Sequence, residues 1–164
     1  MYEDWELPDE LPSEDADSIR EQGLDEKAVT VVGVFEHAAP NADEGLIQRF
    51  VLLQDREERK VPIWIGPFEA FAIHTAIEGQ VLDRPMTHDL IRLLIDRLGA
   101  HVDQVIVDDL WQETYYAKLH LTRADESFEI DCRPSDAIAI AVRTGAPIFV
   151  AERVFETVTP PDLT

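Results

Sequence analysis

The 164-residue chain has a single cysteine, Cys132, only three lysines and seven glycines, and no apolar run near the roughly 18 residues that a membrane helix needs. One cysteine excludes an internal disulfide and with it the disulfide-stapled secreted scaffolds. With few lysines and only 14 basic residues against 34 acidic ones, the charge counts against tight, non-specific binding to a phosphate backbone. Glycine-rich phosphate loops, dinucleotide fingerprints, zinc-type cysteine clusters, His-Glu-x-x-His, calcium-loop spacing and Gly-x-Ser-x-Gly are all missing from the sequence. The first residues, Met1-Tyr2-Glu3-Asp4, are acidic where a secretory leader would be basic, so a cytoplasmic protein without membrane contact is expected.

What is present is acid. Asp and Glu number 34 against 14 Lys and Arg, a formal net charge of −20. Such a surface repels itself in dilute buffer and is screened in concentrated salt, where the Debye length falls to about 3 Å at 1 M. A high-salt, halophilic setting is the corresponding expectation. The acid is densest over residues 1–27, where eleven carboxylates face only Arg20 and Lys27, and the pattern reads as a flexible tail. Residues 28–156 then read as one folded unit, and 157–164 as a short C-terminal tail.

Within that unit, Val29 to Phe35 and Leu46 to Leu53 predict a hairpin joined through Pro40 and Gly45, and Val61 to Ile65 a third strand. Pro67 starts a helix that Gly79 ends; its apolar residues Phe68, Phe71, Ile73 and Ile77 lie on more than one stripe and predict extensive burial. A second helix follows Pro85, with Thr87 as its expected N-cap, and stops at Gly99. Strands at 102–107, 116–122 and 127–132 come next, then an apolar helix over Ser135 to Thr144, expected at the centre of the core, and a short strand over 147–150. The expected fold is a single compact α+β domain with a mixed, largely antiparallel sheet and about three helices.

Two segments carry chemistry. Arg84-Pro85-Met86-Thr87-His88-Asp89 opens the second helix and Asp131-Cys132-Arg133-Pro134-Ser135-Asp136 the third. Each places an arginine, a proline, a hydroxyl and a carboxylate where free N–H groups and the helix dipole favour an anion. The plainer reading is ordinary capping by Thr87 and Ser135 with internal arginine–carboxylate pairs. Glu69, His88, Asp89, Asp131 and Asp136 are also ligand types for a hydrolytic metal, without a recognised spacing. Cys132 reads as an inert thiol.

Four ordered blocks carry a resemblance. Val61-Pro62-Ile63-Trp64-Ile65-Gly66 with Glu69-Ala70, then Arg84-Pro85-Met86-Thr87-His88-Asp89-Leu90, then Ile130-Asp131-Cys132-Arg133-Pro134-Ser135-Asp136-Ala137, then Ala146-Pro147-Ile148, together resemble the bifunctional nuclease domain family. That resemblance implies a compact α+β domain, a homodimer, and hydrolysis of phosphodiester bonds in DNA and RNA. Carried onto this chain, it makes Glu69, Asp89, Asp131 and Asp136 candidate metal ligands or bases, His88 a candidate general acid or base, and Arg84 and Arg133 phosphate clamps beside Thr87 and Ser135. A divalent metal such as magnesium or manganese is one route to the chemistry. A non-catalytic regulatory or interaction domain and an anion-binding module are the alternatives.

Overall fold

The computed structural model describes residues 25–38 and 47–158. Seven strands and four helices alternate along them: β1 (Glu26–Ala38), β2 (Ile47–Asp55), β3 (Lys60–Ile65), α1 (Pro67–Ile77), α2 (Thr87–Arg97), β4 (Ala100–Trp111), β5 (Thr114–Arg123), β6 (Glu126–Cys132), α3 (Pro134–Thr144), β7 (Ile148–Ala151) and α4 (Glu152–Thr157). The strands form one sheet in the order β3-β2-β1-β7-β4-β5-β6. Every neighbouring pair is antiparallel except β4 and β7. The expected α+β domain with a mixed, mostly antiparallel sheet is therefore the fold observed. The expected hairpin is the β1–β2 pair; its connection, and the acidic residues 1–24, lie outside the described residues.

The short strand β7 explains how the two halves of the sheet join. It pairs with β1 through Val29↔Ile148 and with β4 through Val105↔Ile148, so one four-residue strand bridges the β1–β3 and β4–β6 ladders. Glu26 and Lys27, grouped by composition with the acidic tail, are the first residues of β1 and pair with Ala151 and Val150. Strand β4 runs four residues past its expected end: beyond a bulge at Asp108, Asp109, Leu110 and Trp111 pair with Tyr116, Tyr115 and Thr114, and the turn falls at Gln112 and Glu113, both at positive φ. In β5 the expected alternation holds: Ala117, Leu119 and Leu121 are buried.

Helix α3 lies at the centre of the core, with Ala137, Ile138 and Ala139 fully buried. It packs against α1, α2, β4 and β5. Its chain leaves through Gly145 in the left-handed region (φ 75°), a conformation that costs glycine little. Helix α1 departs from expectation. Ala70, Ala72, Ile73 and Thr75 are buried, but Phe68 is 85% exposed and Phe71 and Ile77 are exposed as well, since among the described residues neighbours cover only one face. Apolar residues around a helix announce burial only when the fold supplies cover on every side, and the described residues do not. At the far edge, Arg59 donates to Asp55 (Nε to Oδ2, 2.7 Å) and to Glu152, and stacks on Phe155, fastening the β2–β3 turn to α4.

Candidate functional site

The start of α3 is the focus. Its N-cap is Arg133 and its first helical residue Pro134, so the expected cap Ser135 is the second helical residue, two places past the cap position, and makes no capping bond. Arg133 turns back along the first turn and grips Asp136 with two bonds, Nε to Oδ2 at 2.7 Å and Nη2 to Oδ1 at 3.1 Å. A third bond runs from Arg133 Nη1 to Glu69 Oε1 at 3.1 Å, across to α1. Glu69 reaches it by folding over Gly66, where a Cβ would come within 2.5 Å of Oε2; glycine leaves room for that carboxylate. From α2, His88 Nε2 meets Asp136 Oδ1 at 2.9 Å. Three helices thus each contribute to one hydrogen-bonded group, Glu69, Arg133, Asp136 and His88.

The electrostatics fix the protons. Burial raises the Asp136 carboxyl, but its bonds from Arg133 and His88 outweigh burial and leave it below the usual carboxylate value. An ionised carboxylate only accepts, so the His88 nitrogen facing it carries a proton and Nδ1 holds the lone pair in the neutral ring. The bonds from Arg133, chiefly to Asp136, hold the guanidinium charged. Of the five N–H groups on a guanidinium, three are used, leaving two on the terminal nitrogens of a side chain that is 66% exposed.

The group borders open space on both sides. One cleft of about 510 Å³ lies between α1 and α2 and is lined by Phe68, Glu69, Thr87, His88, Arg133 and Asp136, among others. A second, of about 280 Å³, is bordered by Trp64, Tyr115 and Ser135 and shares Glu69 and Arg133 with the first. Arg133 and Glu69 therefore stand on the divide between two clefts.

The companion segment is built differently. The N-cap of α2 is Met86, not Thr87, and Asp89 accepts the Met86 N–H at 3.0 Å. The other Asp89 oxygen accepts from Arg143 Nε at 2.6 Å, on the last turn of α3, where the arginine side chain is only 7% exposed. Burial raises the Asp89 carboxyl, and Arg143 and Met86 pull it lower than they find it. Arg84 is exposed and has no ion pair among the described residues, and Asp131 is exposed on the edge strand β6, opposite Lys118. Neither borders the two clefts, nor does Asp89. Cys132 is half-buried and burial, helped by Asp131 and Asp136, pushes its thiol up to about 11, which suits an inert group.

Sequence reasoning overlooked Phe68 as a cleft residue and Arg143 as the partner of Asp89. A lone arginine on an otherwise apolar helix was the available signal for the second, because a buried cation requires a carboxylate.

Residues 51–161 match the family model described as the bifunctional nuclease domain. An uncharacterized protein of Mycobacterium tuberculosis is 42% identical over 127 residues, covering 77% of this chain and 72% of its own length. Bifunctional nuclease 2 of Oryza sativa subsp. japonica is 36% identical over 101 residues and Bifunctional nuclease 1 of Arabidopsis thaliana 32% identical over 101, each match covering 60% of this chain and 31% of the plant protein. The shared region thus spans about a third of those plant chains. The chain belongs to the bifunctional nuclease domain family.

Proposed function

We propose that this member of the bifunctional nuclease domain family hydrolyses phosphodiester bonds in nucleic acid at the Glu69–Arg133–Asp136–His88 group. The observation that carries the reading is the His88–Asp136 contact beside a charged, exposed Arg133 in an open cleft. Asp136 holds the imidazole with its Nδ1 lone pair available, and His88 takes the proton of a water as the water oxygen attacks phosphorus. The two spare Arg133 N–H groups stabilise the charge that gathers on the phosphoryl oxygens. The P–O bond to the leaving oxygen breaks, and that oxygen takes a proton from solvent. Glu69 positions Arg133, and Thr87 and Ser135 line the path of the strand.

The donor set does not fit a resident divalent metal. Among the described residues no three His, Cys, Asp or Glu side chains form a metal-binding group, and the Arg133 guanidinium bridges Glu69 and Asp136, where a cation between those carboxylates would sit. No step is assigned to a metal.

The test is cleavage of labelled single- and double-stranded DNA and RNA, at low and multimolar potassium chloride, with magnesium, manganese or chelator. The expected outcome is cleavage that survives chelation and falls roughly 100- to 10,000-fold in folded His88→Gln protein, the usual worth of general acid–base catalysis. Full activity in His88→Gln would remove the basis for the reading and favour a non-catalytic interaction domain.

Self-association belongs to the same proposal. Leu90, Leu94 and Leu98 recur at four-residue spacing along α2 and its cap, and are 52%, 52% and 67% exposed. An apolar row of that kind, exposed among the described residues, suits a matching copy. Sedimentation should give a dimer mass, and a monomer at all concentrations would contradict it. No helix among the described residues is long and apolar enough to cross a membrane.

A further inference from the structure

Phe68 is 85% exposed, so a large aromatic ring presents an open face to solvent. It sits in the first turn of α1, one residue before Glu69, and lines the 510 Å³ cleft with Arg133 and His88. A phosphate held by the spare N–H groups of Arg133 thus has an open aromatic ring as neighbour. Across the Arg133–Glu69 divide the second cleft offers Trp64, 43% exposed, and room for the chain to continue.

The charge of the molecule sharpens the argument. With a formal net charge of −20, long-range attraction cannot gather a polyanion, and counterion release from one or two arginines is small. Stacking of a base on an aromatic ring does not depend on net charge, and it demands a base whose face is free. A base inside a duplex is already stacked on its neighbours and cannot offer that face without being flipped out.

Building on the proposed function of this site, we infer that the cleft takes an unpaired nucleotide, its base on Phe68 and its phosphate on Arg133, making single-stranded nucleic acid the preferred substrate class.

The test is binding of a labelled single-stranded hexanucleotide and of a duplex of the same sequence, measured by anisotropy on His88→Gln protein with and without Phe68→Ala or Phe68→Trp. The expected result is preference for the single strand, a loss of about 5- to 150-fold with Phe68→Ala, the range for removing one stacking partner, and retention with Phe68→Trp. Equal affinity for both forms, no single-strand binding, or an unchanged affinity in Phe68→Ala would overturn it. So would a Phe68→Ala protein that sediments as a dissociated dimer and loses both ligands equally, which would assign the ring to the subunit interface. The two readings fail separately. Persistent cleavage by His88→Gln with a clear Phe68 effect removes only the catalytic assignment, while a dead His88→Gln protein with no Phe68 effect removes only the stacking assignment.

Discussion

The starts of α2 and α3 have nearly the same composition and opposite fates. At α3, Arg133 folds onto Asp136 three residues along the same turn, and the pair stays in an open cleft beside His88 and Glu69. At α2, Asp89 caps its own helix and turns to Arg143, while Arg84 is left exposed. The motif fixes which groups are present; the packing partner decides which become a site. An arginine that finds its carboxylate locally stays at the surface with donors to spare. A carboxylate claimed by a nearly buried arginine becomes a clamp between two helices.

That contrast can be broken most severely at the two arginines. Arg133→Ala is expected to lower cleavage roughly 100- to 1,000-fold, the cost of removing one donor from a developing oxyanion. Arg84→Ala should leave the rate within about twofold and stability within about 0.5 kcal/mol, as for an exposed residue with no ion pair among the described residues. Steady-state cleavage and thermal melting of both proteins check this, and a matching loss in Arg84→Ala would mean that the α2 segment also meets the substrate.

The next effect is one of stability. Asp89→Ala removes a cap and strands Arg143 with Ala139 O as its remaining partner. Leaving a buried charge without its ion is expensive, here roughly 2–4 kcal/mol given that Asp89 is itself partly exposed, and about 6–12 °C in melting temperature for a chain of this size. The sign of the pH dependence follows from the lowered Asp89 carboxyl. Its contribution is present above the unfolded value near 4 and is lost as pH falls through the lower folded value. The melting gap between wild type and Asp89→Ala should therefore narrow in acid; a gap independent of pH would show that the ion pair is not its source.

Much of the fold was legible because its signals are local. The periodicity of β5, the apolar run of α3 and the glycine at its end each state their own role. The outer face of α1 was not legible: Phe68 and Phe71 look like core residues, yet both are exposed among the described residues. At the site, the residue types were readable and their pairing was not. His88 and Asp136 are 48 residues apart, and Asp89 and Arg143 are 54 apart. Which carboxylate meets the histidine and which the buried arginine depends on how α2 crosses α3, a tertiary choice that no spacing within either segment records. The N-caps illustrate the same limit on a smaller scale: Met86 and Arg133 hold the cap positions, and Thr87 and Ser135, the better capping residues, lie one and two places further in.

The central claim is that two aspartates in look-alike motifs have separate duties, Asp136 in orienting His88 and Asp89 in holding α2 to α3. The most direct measurement is the cleavage rate per folded molecule of Asp136→Asn and Asp89→Asn, taken alongside their melting temperatures. The account predicts a rate at least about 100-fold lower with little change in melting for Asp136→Asn, and a lower melting temperature with an unchanged rate for Asp89→Asn. Equal loss of rate in both, or loss in Asp89→Asn alone, would contradict it.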